Sequence, residues 1–213
     1  MFYFAKTPWW LKKLYPRCVW KLPAADKKIY LTFDDGPHPT ITPFVLDLLK
    51  KYNAKATFFC IGKNVAAYPD NYRAVLEQGH RSGNHTHNHL NGWKVSDEEY
   101  LDNIIEASKF IDSNMFRPPY GKITRFQIGL LRGSRQLSLK KHFNIVMWDV
   151  LSGDFDTSIE GDKCALNVIR YTRPGSIVVF HDSEKAFPRL KIALPKMLDH
   201  FFEKGYQFEA LQL

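Results

Sequence analysis

Two acids, two histidines, an arginine and a third histidine carry the chemistry of this chain. Asp34 and Asp35 stand side by side after an apolar run, Ile29 to Phe33. As a turn, Asp-Asp-Gly-Pro is ordinary. As a site, the pair has another meaning. Adjacent carboxylates behind a buried strand repel, and the repulsion is relieved when one binds a cation and the other faces an arginine. Metal-assisted hydrolysis divides labour in that way: one carboxylate holds the metal, the other takes a proton from the attacking water. His85 and His89 are four residues apart, so on one helical turn both imidazoles face the same way and can share a metal, whereas His87 points elsewhere. With a carboxylate they make a two-histidine, one-carboxylate set, which suits hydrolytic zinc and equally a non-haem Fe(II) oxygenase.

The elements that must position these groups alternate between strand and helix. Strands are expected at 29–33, 55–61, up to Asn84, at 115–117, 143–149, 176–180 and 207–211. Helices are expected from the Thr42-Pro43 start, over 69–78, from a Ser96–Glu99 capping box to about Ile111, over 124–141, over 162–173, and over 186–204 with breaks near Pro188 and Pro195. This alternation predicts parallel strands joined by right-handed crossovers. The sheet either closes into a distorted barrel or stays open and doubly wound. Asp34, Asp35, His85, His89, Arg117, Asp149, Asp154 and His181 all follow strands, at the carboxyl rim where parallel α/β folds place active sites.

Three motifs, Thr32-Phe33-Asp34-Asp35-Gly36-Pro37, His85-Thr86-His87-Asn88-His89 and Arg117-Pro118-Pro119-Tyr120-Gly121, resemble those of the polysaccharide deacetylases, the NodB-homology group or carbohydrate esterase family 4. Trp148 to Phe155 and Val179-Phe180-His181-Asp182 resemble a fourth and a fifth, so the resemblance covers the chain from about Ile29 to its end. It implies a single NodB-like α/β domain over 29–213, built as a distorted (β/α) barrel, with residues 1–28 as an aromatic and basic arm packed on it. It further implies a metal-dependent N-deacetylase of an amino-sugar carbohydrate: peptidoglycan, chitooligosaccharide or glycolipid. Asp35, His85 and His89 are the implied metal ligands, for zinc or else cobalt or manganese. Asp34 is the implied base oriented by Arg117, His181 the implied acid paired with Asp154, and the Tyr120 backbone N–H the implied oxyanion donor.

Phe155 stands where the family often has Trp, and Val179 where it often has Leu. Both, with Pro119 and Trp93, are candidate substrate contacts, while His38 reads as an exposed loop histidine. An O-acetyl esterase and a non-catalytic carbohydrate-binding relative are the alternative functions.

Composition bounds the rest. The chain has 213 residues, 45% hydrophobic and 15% aromatic, enough for one core and too apolar for disorder. The net charge of +8 is spread along the chain without a nucleic-acid reader motif, which leaves an anionic polymer or a membrane surface as partners for it. Three scattered cysteines argue against a disulfide framework. The aromatic start, Met1 to Leu11, has neither the form of a signal peptide nor the length of a membrane span, which predicts a cytoplasmic or membrane-peripheral protein.

Overall fold

A computed structural model describes residues 3–23, 26–133 and 142–213. Its centre is β1 (Lys28–Asp34), flanked by β2 (Ala56–Cys60) and β7 (Ile177–His181). Every residue of β2 and the four apolar residues of β7 are buried. Strands covered on both faces need no polar alternation, and each buried Val, Ile or Phe contributes about 1.5–3 kcal/mol. The stacked rings of Phe33, Phe58 and Phe180 fill the space beside β1, with centroids 5.1 and 6.1 Å apart.

Beyond β2 come β3 (Arg81–Asn84), β4 (Met115–Phe116) and β5 (Asn144–Ile145), and beyond β7 comes β6 (Val150–Leu151). The order is β5-β4-β3-β2-β1-β7-β6, all parallel, with β8 (Gln207–Phe208) added beside the start of β1. Read as a ring, this is chain order, as in a barrel. It is interrupted at one seam, between β5 and β6, and the sheet is accordingly a curled half-barrel in a single domain.

The N-terminal segment lies along that seam. Val19 bridges Val146 in parallel, while Lys6 bridges Val150 and Lys21 bridges Ser176, both antiparallel. This explains why 143–149 is not one strand, as the apolar pattern predicts. After Ile145 the chain pairs with the arm: Met147 N–H donates to Val19 C=O, and Thr7 N–H donates to Asp149 C=O.

The helices lie outside the sheet: α1 (Trp9–Leu14), α2 (Ile41–Lys51), α3 (Gly62–Ala67), α4 (Pro69–Glu77), α5 (Asp97–Ser108), α6 (Arg125–Arg132), α7 (Gly161–Tyr171) and α8 (Phe187–Glu203). Ser96 caps α5 by accepting from Glu99 N–H, and Thr124 and Gln127 form a full capping box on α6. α6 ends at Arg132 with Gly133 as its extended cap, and residues 134–141 of the helix expected over 124–141 fall outside the described residues. Thr42 is inside α2 rather than its cap, because its hydroxyl is engaged by His38 N–H and Asp182. α8 runs unbroken. Pro188 sits in its first turn, where no N–H partner is lost, and the buried Leu190, Leu194, Met197, Leu198 and Phe201 outweigh the roughly 3 kcal/mol cost of Pro195. No described helix is long and apolar enough to cross a membrane.

Candidate active site

The register of β1 and β7 sets Asp34 beside His181, so the two central strands end in a carboxylate and an imidazole on one rim. Arg117 follows β4 and reaches back beneath them, wholly buried. Its guanidinium donates to Asp34 Oδ1 at 2.7 Å, Thr32 Oγ1 at 2.7 Å, Val146 C=O at 3.2 Å and Met147 C=O at 3.0 Å. It also lies 4.1 Å from the centroid of the Phe59 ring. With these donors satisfied and a counter-charge beside it, the buried cation is fixed in one orientation, and so is the Asp34 carboxylate.

Asp35 turns the other way. It has a left-handed backbone, φ 81°, costly for a residue with a Cβ, and Asn64 Nδ2 holds its carbonyl at 2.8 Å. Asp35 Oδ1 lies 3.2 Å from His89 Nε2 and 3.8 Å from His85 Nε2. The ligand atoms of these three residues lie within 4.8 Å of one another. Asp35 Oδ1 is buried without a hydrogen-bond partner among the described residues, an orphaned acceptor of the kind a cation satisfies. Burial alone would raise this carboxyl, but His89, His181 and His85 outweigh it and hold the group well below the usual range.

Burial, reinforced by His89, pushes His85 down to about 4. Its Nδ1 is 2.7 Å from the Arg117 carbonyl, so this nitrogen carries the proton and Nε2 keeps a lone pair for a metal. His89 Nδ1 is set by the Tyr120 hydroxyl at 3.1 Å. The donor set, with the hydrogen bonds that Arg117 C=O and the Tyr120 hydroxyl make to the far ring nitrogens, fits a divalent metal of the zinc type.

The two histidines do not share a helical turn. They stand on a loop after β3 in which Thr86 and His89 have positive φ, 63° and 58°. Asn84 Oδ1 accepts from Thr86 N–H, and Asn103 Oδ1 accepts from the His87 and Asn88 N–H groups. Side-chain acceptors replace the helical ladder and aim both rings inward, while His87 leaves the site and stacks on Phe110.

On the far side, His181 Nδ1 is 2.7 Å from Asp154 Oδ1, and His181 N–H donates to Asp154 Oδ2 at 2.8 Å. Burial alone would lower this imidazole, but the Asp154 charge and hydrogen bond raise it to about 10, leaving Nε2–H available on a cation. Asp154 is fully buried, and Arg189 Nε holds its carbonyl at 2.6 Å. Phe155 packs edge-on against the His181 ring at 5.4 Å and against Tyr3 of the arm at 5.1 Å. Val179 and Pro119 are buried. Tyr120 (φ 60°) and Trp93 are more than half exposed at the rim, with Lys122 Nζ 4.0 Å from the Trp93 ring centroid.

One sequence-predicted residue lies elsewhere. Asp149 precedes β6, at the opposite end from the rim, where it meets Lys6, Lys12 and Ser176 at 2.6, 2.5 and 2.6 Å. The boundary error that ran β5 on through 146–149 placed it at the wrong end. His38 is largely covered, and its Nδ1 accepts from Thr40 and Ile41 N–H at the start of α2.

Sequence reasoning passed over Asp182. It is buried, pushed up to about 8 by that burial, and accepts from Gly36 N–H at 3.1 Å and Thr42 Oγ1 at 2.5 Å. A Cβ on Gly36 would come within 2.1 Å of its carboxylate, so glycine is required there. Its position directly after His181 was the available signal.

Comparison with known proteins identifies the family. Residues 21–132 match the family profile described as polysaccharide deacetylase. A peptidoglycan-N-acetylglucosamine deacetylase of Bacillus cereus is 36% identical over 196 residues, covering 89% of each chain. A chitooligosaccharide deacetylase of Azorhizobium caulinodans is 34% identical over 161 residues, covering 72% of this chain and 73% of its own. Among solved structures, the Bc1960 peptidoglycan N-acetylglucosamine deacetylase, in complex with 4-naphthalen-1-yl-N-oxidanyl-benzamide, superposes with a TM-score of 0.83 at 30% identity, over 96% of this chain and 95% of that one.

Proposed function

Since this chain belongs to the polysaccharide deacetylase family, we propose that it is a metal-dependent hydrolase that removes N-acetyl groups from an amino-sugar polymer of the peptidoglycan or chitooligosaccharide type. The observation that carries this reading is the pairing on one rim of a carboxylate clamped by Arg117 with an imidazole clamped by Asp154, 2.7 Å each, at the strand ends that also carry Asp35, His85 and His89.

An amide is a weak electrophile with a poor leaving group, so its hydrolysis needs an activated water and a proton for nitrogen. Zinc or a similar divalent ion held by Asp35, His85 and His89 supplies the Lewis acidity. Asp34, fixed by Arg117, takes the proton of the attacking water as its oxygen bonds to the acetyl carbon. His181, kept charged by Asp154, gives a proton to the sugar nitrogen as the carbon–nitrogen bond breaks, releasing acetate and a free amine. The Tyr120 N–H is assigned to the developing oxyanion. Trp93 and Phe155, which reach the surface, are assigned to the sugar-facing walls, whereas Val179 and Pro119, expected there from sequence, are buried and back the site from behind.

Acetate release from N-acetylglucosamine oligomers, peptidoglycan fragments and acetylated xylan tests the reading. Release from the first two is expected. Release from acetylated xylan alone would make the protein an O-acetyl esterase, and saccharide binding with no release from any substrate would make it a binding protein.

A further inference from the structure

The arm has an inner and an outer side. Inward, Lys6 and Lys12 are tied to buried Asp149, and Leu11 packs on the cluster around Tyr100 and Ile128. Outward, α1 buries no side chain: Trp9 is 68% exposed and Trp10 45%. Phe4 meets the Trp10 ring edge-on at 6.2 Å, and Leu14 stands one turn beyond Trp10, also exposed. The start of α6 adjoins this knob through Arg125 Nη2, which donates to Leu14 C=O, and Arg132 Nη1 donates to Arg17 C=O. Phe126, beside Arg125, is 63% exposed.

Charge is distributed unevenly along the sequence as well. Neither 1–25 nor 113–148 contains an acidic residue, yet they hold 12 of the 30 lysines and arginines. Lys13, Arg17, Arg125 and Arg132 are exposed around the aromatic knob, and Lys13 Nζ lies 4.9 Å from the Trp9 ring centroid. Exposed Trp, Phe and Leu ringed by cations on a rigidly mounted turn match the interface of an anionic bilayer, where indole rings settle at headgroup depth and cations meet lipid phosphates. A glycan platform would stack on the rings and leave Leu14, Phe126 and the acid-free charge without a purpose.

We propose that the outer face of the arm, Phe4, Trp9, Trp10 and Leu14, together with Phe126 and the cations Lys13, Arg17, Arg125 and Arg132, docks the protein on an anionic lipid surface. Docking is independent of the deacetylase reading, because none of these residues belongs to the catalytic rim.

The test is co-sedimentation of the full chain with phosphatidylcholine vesicles, with and without phosphatidylglycerol, while following tryptophan emission. Binding and a blue shift are expected only with phosphatidylglycerol. Replacing both Trp9 and Trp10 with Ala should weaken binding by about tenfold or more, and each of Lys13→Glu and Arg17→Glu by about fivefold. Thermal unfolding and acetate release from soluble oligomers should stay unchanged in all of them. No binding to phosphatidylglycerol vesicles, or equal binding by the tryptophan double variant, would overturn the proposal. So would retention on an insoluble anionic cell-wall polymer but not on vesicles.

Discussion

Two buried carboxylates, each met by cations, stand at opposite ends of the half-barrel. At the base, Asp149 accepts from Lys6, Lys12 and Ser176, and little of its acceptor capacity is left over. At the rim, Asp34 is held as firmly by Arg117, but its neighbour Asp35 has an oxygen with no hydrogen-bond partner among the described residues, in a left-handed backbone. Thr86, His89 and Tyr120 share that strained region. A satisfied ion pair closes a seam and contributes stability. An under-satisfied one, maintained by strain, is where a ligand completes the structure. Of these two carboxylate sites the rim has the second character, so substitutions at the two ends should separate function from stability.

The largest effect belongs to Asp35. Asp35→Asn removes a proposed ligand charge without changing shape, and is expected to abolish zinc uptake, measured by metal analysis after dialysis, and acetate release with it, while the melting temperature of the metal-free protein holds. Second is His181→Ala, expected to lower kcat by roughly 10²–10⁴ with KM little changed.

Third, Asp149→Asn breaks the base pair. Because Lys6 and Lys12 are partly exposed and can rehydrate, the expected loss is about 2 kcal/mol rather than the cost of a fully stranded charge. Denaturant unfolding measures it, and specific activity of the folded fraction should be retained. The smallest effect is its pH dependence. Burial opposes, but Lys12, Lys6 and Ser176 together hold the Asp149 carboxyl below its usual value. A depressed folded-state value contributes stability that is present above the unfolded value, about 3.9, and is lost as pH falls through the folded one. The gap in melting temperature between wild type and Asp149→Asn should be constant near neutrality and shrink only in acid.

The rim was legible from sequence because its residues end strands, and strands such as 29–33 and 176–180 announce themselves as short apolar runs. His85 and His89 were found for a reason that the structure corrects. Their convergence comes from a loop held by Asn84 and Asn103, and side-chain acceptors leave no periodic trace. Asp149 was misplaced because Phe143 to Trp148 is apolar on both sides of a strand end, and only pairing with the distant Val19 shows where β5 stops. Arg189 was invisible because it acts through a backbone group, Asp154 C=O, which no side-chain pattern encodes, and Asp182, which accepts from Gly36 N–H and Thr42 Oγ1, was marked only by its place after His181.

The division of labour between the adjacent aspartates is the central claim, and Asp34→Asn tests it most directly. Chelated wild type and variant would be titrated with zinc in a calorimeter and then assayed for acetate release from N-acetylglucosamine oligomers. The account predicts zinc binding at unchanged stoichiometry in both, with turnover of the variant reduced by roughly 10²–10⁴. Wild-type turnover by the zinc-loaded variant would contradict it.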